Sequence, residues 1–269
     1  ERHSKKVERW QRLLGPQARL HKVVPDPAKP RSLDMQKQET LLPPDELMRV
    51  AHFTSLVADL NRWFRLPKNL TVVYRATQMD KNFFLPITGQ LLMSREFFQS
   101  AQQRLAQRVP QPQQAETMRA LESFSLLQEF SLALIYDCDL AITGEPEDAA
   151  AELTLMMVVT HPQLRSLAIP MSRWYETLAA DKVNVLQLKY WSESALDQQR
   201  FYDLLGYLYW ADPVTYAALA KKFEPKRLQK LGWEYRLKNR NWQRLLEPYA
   251  DRLLSQDVVQ GFFVGHDLI

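Results

Sequence analysis

The residues most able to do chemistry are two glutamates, Glu129 in the segment LLQEFSLALI and Glu147 in EPEDAAAEL. A glutamate on a helix can serve as the general base of a metal-dependent hydrolase when the residues one before and three after it bind the metal. Those two positions are four apart, so their side chains project from one face of the helix. A third ligand can come from the next helix, where Glu147 stands.

The two positions beside Glu129 hold Gln128 and Leu132 rather than histidines. A catalytic zinc needs three protein ligands, usually with at least two imidazoles. An amide oxygen binds zinc weakly, and a leucine side chain has no donor atom. Without zinc, the pKa of water stays at about 15.7 instead of about 7, so Glu129 has no activated nucleophile to serve. The sequence therefore predicts that no zinc is bound and that Glu129 only marks a general-base position.

A rearranged metal site is the alternative interpretation of the same residues. It would combine Glu129 and Glu147 with a histidine, and His161 in VVTHPQL follows the helix that carries Glu147. Under this alternative the protein is an active metal-dependent hydrolase. The remaining histidines are scattered along the chain: His3, His21, His52 and His266.

Composition favours a largely helical protein with a sizeable core. The chain has 269 residues, is 46% hydrophobic and contains 7 glycines against 16 prolines, which is unlike a sandwich or barrel rich in glycine turns. Cys138 is the only cysteine, so no intrachain disulfide can form. No apolar stretch reaches the roughly 20 residues of a membrane-spanning helix.

Charge is distributed unevenly along the chain. Residues 1–32 hold 9 Lys and Arg against 3 Asp and Glu, residues 221–252 hold 10 against 4, and residues 33–220 hold 16 against 22. Basic ends could bind an anionic membrane or nucleic acid, or pack on the acidic middle. No nucleic-acid-binding motif accompanies them. Nucleic acid is therefore not expected as a partner, and peripheral contact with a membrane stays open.

Periodicity predicts an α+β fold that is predominantly helical with a small mixed sheet. Leu70–Arg75 is the best strand, and Asn82–Ser94 predicts a second strand or a hairpin. A polar loop is predicted at 110–116. Helices are predicted over 4–14, 44–64, 97–109, 116–138, 146–160, 172–181, 195–210, 213–222, 225–239 and 241–254. The predicted organisation is an N-terminal helix and proline-rich connection (1–43), a main domain (44–254) and an apolar tail (255–269).

Five segments share residues with one known family. They are NFFLP (82–86), QEFSLAL (128–134), TGEPEDAAAEL (143–153), ESALDQQRFYDLLGYLYWADP (193–213) and GWEYRLKNRNWQRLLEPY (232–249). Together they resemble an uncharacterised bacterial family of HExxH-type, zincin-like metallopeptidases, in which the second and third segments read about HELGHAL and TGREEDAADQLA. The resemblance runs from about residue 44 to 254 and implies a zincin-like metallopeptidase domain.

The resemblance also assigns roles to individual positions. Gln128 and Leu132 stand where the family has zinc-binding histidines. Glu129 stands at the general-base position and Glu147 at that of the third ligand. The run DQQRFY is expected to hold helices together, with its arginine as a buried partner of a carboxylate such as Glu129; its candidate structural residues are Asp197, Gln198, Gln199 and Arg200.

The sequence therefore predicts a degenerate, catalytically inactive metallopeptidase-like protein that binds a protein or peptide in the old cleft or scaffolds an assembly. The first alternative is the active hydrolase with a rearranged metal site. The second is binding of an anionic membrane or nucleic acid through the basic ends. Many relatives carry leader peptides, so the resemblance implies an exported or periplasmic protein whose leader has been removed, while a cytoplasmic location stays open.

Overall fold

The computed structural model describes residues 31–36, 42–64, 66–179 and 193–246. The predicted helix at 4–14 and the apolar tail at 255–269 lie outside the described residues. The strands are β1 (Leu33–Met35), β2 (Leu70–Arg75), β3 (Phe83–Leu85) and β4 (Gln90–Ser94). The helices are α1 (Pro44–Trp63), α2 (Arg95–Arg108), α3 (Gln111–Asp137), α4 (Pro146–Thr160), α5 (Ala168–Ala179), α6 (Glu193–Ala211) and α7 (Pro225–Leu246).

The four strands form one mixed sheet in the order β1-β2-β4-β3. β1 and β4 run parallel to β2, and β3 runs antiparallel to β4. The turn between β3 and β4 needs a glycine, because Gly89 has φ +64° and a Cβ there would lie 2.8 Å from the carbonyl oxygen of Asn69. The predicted α+β class, the strand at Leu70–Arg75 and the hairpin within Asn82–Ser94 are confirmed.

The outer edge of β1 is covered by a side chain rather than by another strand. Asn61 of α1 accepts a hydrogen bond from the backbone N–H of Leu33 at 2.8 Å and donates one to its carbonyl oxygen at 2.7 Å. The carboxamide therefore satisfies both outward groups of this residue, as a neighbouring strand would. Within the described residues, the other edge of the sheet is β3, which lies beside α3.

The core is built around α3, which is buried on nearly all sides over much of its length. From Ala120 to Ile135 every side chain except Gln128 is buried, as expected of a helix surrounded by other elements. α3 packs against α1, α2, α4 and α5. The side chains of Ser131 and Thr154 share a hydrogen bond of 2.9 Å across the interface of α3 and α4, so a polar contact holds the two helices that carry the candidate site residues.

Several predicted boundaries are wrong. The segment 110–116 is not a loop, because α3 begins at Gln111 and accommodates Pro112 in its first turn, where a proline costs no helical hydrogen bond. The predicted helices 225–239 and 241–254 are one helix, α7, as far as Leu246. The predicted helix at 213–222 is a 3-10 helix over Ala217–Lys222, and a second one spans Arg165–Leu167. No described helix is both long and apolar enough to cross a membrane.

Candidate functional site

The candidate site lies where the middle of α3 meets the edge strand β3. Glu129 is buried, with 8% of its surface exposed. Its carboxylate accepts a hydrogen bond from the backbone N–H of Phe84. Phe84 is the central residue of β3 and is paired with Leu91 of β4. The glutamate side chain therefore satisfies a backbone group on the outer edge of β3.

Burial is the main reason why the pKa of Glu129 is raised to about 7. The negative charge of Glu147 raises the pKa further, whereas the hydrogen bond from Phe84 and the positive charge of Lys81 lower it. A charged carboxylate loses its hydration in this position, and one N–H donor replaces only part of it. Burial therefore moves the titration of this carboxyl from the acidic range toward neutral pH.

Glu147 is close enough to Glu129 for its negative charge to raise the pKa of Glu129. Glu147 lies in the first turn of α4 and is exposed, and its negative charge disfavours ionisation of Glu129. Gln128 is half-buried and Leu132 is 9% exposed; their spacing places them on one face of α3 beside the glutamate. The two positions that would bind zinc therefore offer one amide and one aliphatic side chain.

His161 does not lie near this pair of carboxylates. It directly follows α4, whereas Glu147 is in the first turn of the same helix. Their separation of 14 positions corresponds to about 20 Å along the helix axis. The His161 ring is buried and lies against the ring of Trp63, with their centroids 4.3 Å apart. The expectation that His161 could complete a rearranged metal site with both glutamates is therefore wrong.

The other histidines supply no ligand to this site in the part of the chain that the structure describes. His52 contacts Ser123, with 2.8 Å between Nε2 and Oγ, well before Glu129 on α3. Among the described residues, no three His, Cys, Asp or Glu side chains form a group that could hold a metal ion. His3, His21 and His266 lie outside those residues. The donor set at Glu129 thus does not fit a catalytic zinc ion.

The run DQQRFY lies on α6 and contacts neighbouring helices through its arginine and one glutamine. Arg200 is 3.8 Å from Asp148 of α4, and its side chain is 31% exposed. Gln199 accepts a hydrogen bond from Arg227 of α7 at 3.2 Å. The expectation that Arg200 is a buried partner of Glu129 is wrong, because the arginine is partly exposed and lies at Asp148, an exposed residue in the first turn of α4. The side chains of Asp197 and Gln198 lie outside the described part of the chain.

A buried ion pair that no sequence pattern indicates lies about two turns before Glu129 on α3. Arg49 of α1 donates from Nε to Glu122 at 2.7 Å and from Nη1 to Tyr74 at 3.0 Å. Its guanidinium also lies 5.2 Å from the ring centre of Phe98. Burial raises the pKa of Glu122, and the hydrogen bond from Arg49 opposes this shift. The partners are 73 residues apart in sequence, so no local pattern indicates the pair.

A pocket of about 430 Å³ lies beside the start of α4. It is enclosed by the connection between α3 and α4, by α4 and by the end of α7. One wall is fixed by Glu152, which accepts hydrogen bonds from Trp242 Nε1 at 3.0 Å and from Lys238 Nζ at 2.8 Å. Its apolar lining comes from Ile142, Ala149, Trp242 and Leu245, and its charged lining from Asp148, Glu152 and Arg244.

Comparison with known proteins places this architecture in a family. No curated protein and no solved structure matches the chain. The sequence model of one family, described as "Putative metallopeptidase", matches residues 32–246. That range includes every described strand and helix, from β1 to the end of α7. Because the match spans most of the 269 residues, the chain belongs to the "Putative metallopeptidase" family.

Proposed function

We propose that the protein is a catalytically inactive, zincin-like member of its family that binds a peptide or a segment of another protein. The observation that carries this proposal is the donor set around Glu129. Its two neighbours on the helix face are Gln128 and Leu132, and its own carboxylate is hydrogen-bonded to the N–H of Phe84. This glutamate now joins α3 to the edge of the sheet.

The charge state of Glu129 alone would suit catalysis, since a general base works best with a pKa near the working pH. A base accelerates hydrolysis by this mechanism only when the attacking water is also acidified, and that needs a metal held by three protein ligands. Glu129 and Glu147 supply carboxylates, but Leu132 supplies no donor atom. The residues present therefore support a binding role more than a hydrolytic one.

The pocket beside α4 supports peptide binding next to the old site. Its lining includes Asp148, the residue after Glu147, and combines apolar side chains with charges of both signs, Asp148 and Arg244. Its volume of about 430 Å³ lies within the range of known ligand pockets, about 300–1,000 Å³. Peptides carry apolar side chains together with donors and acceptors, which is the combination this lining offers.

Hydrolysis can be tested with casein as the substrate. The purified protein is incubated with casein, with and without added Zn²⁺ and with and without a chelator. No chelator-sensitive release of peptides is expected in any condition. Stoichiometric zinc together with chelator-sensitive cleavage would refute the inactive assignment.

Binding can be tested with a tryptic digest of casein passed over the immobilised protein. A set of apolar peptides is expected to be retained and then lost in the Ala149→Arg variant, which places a long side chain in the pocket. Ala217→Arg is the matched control, because Ala217 is exposed on a 3-10 helix away from the pocket. Equal retention by both variants, or none by the wild type, would contradict a peptide site here.

An active hydrolase with a rearranged metal site is the second candidate. One observation favours it, the electrostatic coupling of Glu129 and Glu147, since two nearby carboxylates can share a divalent cation. This candidate predicts hydrolysis that is lost both with chelator and in Glu147→Gln. The inactive assignment predicts no activity to lose.

A further inference from the structure

The solvent-facing side of α7 carries a stripe of positively charged side chains. Seven Lys and Arg but only one Glu lie in this helix. Two of the cations face the protein, where Arg227 approaches Asp203 and Lys238 binds Glu152. The other five lie on the exposed side: Lys226, Lys230, Arg236, Arg240 and Arg244.

Two apolar side chains lie within this stripe. Trp233 is 60% exposed and Leu237 is 41% exposed, and their spacing of four places them one above the other on the helix. The α7 outer face is defined as these two side chains together with the five exposed cations, which include Lys230 and Arg240. The only carboxylate of the helix, Glu234, is half-buried and lies 3.5 Å from Lys230.

The opposite side of α7 is docked tightly on α6. Leu231 covers Gly206, where an added Cβ would come within 2.5 Å of the leucine side chain. The indole of Trp210 lies against Gly232 and donates a hydrogen bond to the carbonyl oxygen of Leu228 at 2.8 Å. The two glycines allow this close approach, so the helix presents its outer face in a fixed orientation.

We propose that the α7 outer face binds the surface of a bilayer that contains anionic lipids. Lysine and arginine are attracted to the negative surface potential of such membranes. Tryptophan prefers the boundary between headgroups and acyl chains, and a leucine beside it adds apolar area to insert. The helix of 22 residues presents a face about 33 Å long, which is long enough to contact a bilayer surface through several side chains at once.

Charge alone would also attract a polyanion such as nucleic acid, but the apolar pair favours the bilayer. A duplex could neutralise the cations without contacting Leu237, and a leucine has no ring to stack on bases. In a lipid headgroup layer the same residue is buried while Lys230 and Arg240 keep their charged ends at the phosphates. A bilayer surface therefore accounts for both the cations and the two apolar side chains of the α7 outer face.

Vesicle co-sedimentation of the full chain tests the proposal. The protein is expected to bind phosphatidylcholine vesicles that contain about 30% phosphatidylserine, to bind pure phosphatidylcholine vesicles far less, and to dissociate as salt is raised. Each Lys or Arg near the surface contributes about 1 kcal/mol, or roughly fivefold in affinity. Lys230→Gln combined with Arg240→Gln should accordingly weaken binding by about 25-fold. Trp233→Ala should weaken it while leaving the salt dependence in place.

The matched control is Arg62→Gln combined with Arg75→Gln, which removes two exposed cations outside α7. It should change vesicle affinity by less than about threefold. All four altered residues are exposed, and far-ultraviolet circular dichroism checks that each variant is folded. Equal losses in the control and the α7 variant, or binding of duplex DNA or heparin without binding of vesicles, would overturn the proposal. So would wild-type protein that fails to sediment with anionic vesicles at low salt.

Discussion

The Glu129→Gln substitution tests whether burial beside β3 sets the charge of this carboxyl. Its pKa is raised from 4.5 to about 7 in the folded protein, mainly by burial. Such a group stabilises the fold below pH 4.5, where it is protonated in both states, and this stabilisation is lost as pH rises through 7. Glutamine stays neutral at every pH and keeps an oxygen that can accept the hydrogen bond from Phe84.

The magnitude follows from the size of the shift. A change of about 2.5 pKa units at 1.36 kcal/mol per unit corresponds to about 3 kcal/mol. The free energy of unfolding of Glu129→Gln, relative to wild type, is therefore expected to rise by about 3 kcal/mol between pH 4.5 and pH 8. The midpoint of that rise should lie between the unfolded and folded pKa values.

Urea unfolding at half-unit pH steps measures this difference directly. Other titrating groups are shared by both proteins and cancel in the comparison. Asp203→Asn is the matched control, because burial raises the pKa of Asp203 to about 6. The free energy of unfolding of this variant, relative to wild type, should stop rising about one pH unit earlier than that of Glu129→Gln. A difference between Glu129→Gln and wild type that stays constant within 0.5 kcal/mol from pH 4.5 to 8 would refute the reasoning.

Three further substitutions test the surroundings of the site. Glu147→Gln removes a charge that raises the pKa of Glu129, so an NMR titration of the Glu129 carboxyl should move to lower pH; an unchanged titration would contradict the coupling. Glu122→Gln leaves the buried guanidinium of Arg49 without its anion and should cost about 3–5 kcal/mol in urea unfolding; a loss below about 1 kcal/mol would show that the pair is not buried as described. Gly89→Ala meets a carbonyl oxygen and an unfavourable φ and should lower stability by about 1–3 kcal/mol; a melting temperature equal to wild type would contradict the tight turn.

Much of the fold follows from local sequence signals. The strand Leu70–Arg75 is marked by β-branched and aromatic residues, and α4 begins at Pro146 with acids in its first turn. β1 is not predictable from the sequence, because three residues are too few to show a periodicity and its partner β2 lies 37 positions farther along the chain. The start of α3 at Gln111 differs from the predicted loop because prolines and glutamines are typical of loops, although a proline is well tolerated in the first turn of a helix.

The site was predictable only in part. The sequence predicts Glu129 and Glu147 on two successive helices with a short connection, and α3 and α4 confirm this. The contact of Glu129 with Phe84 depends on how an edge strand meets α3, which no local pattern specifies. The positions of His161 and Arg200 differ from the prediction because the length of α4 and the packing of α6 against it decide which side chains reach the carboxylate.

Zinc binding tests the central claim most directly. Wild-type protein purified without added zinc, and then titrated with Zn²⁺ by calorimetry, is compared with the double variant Gln128→His and Leu132→His. The wild type is expected to contain well under one equivalent of zinc and to bind added zinc weakly, whereas the double variant should gain a one-to-one site with an affinity higher by several orders of magnitude. One tightly bound equivalent of zinc in the wild type, removed by Glu147→Gln, would contradict the loss of the metal site.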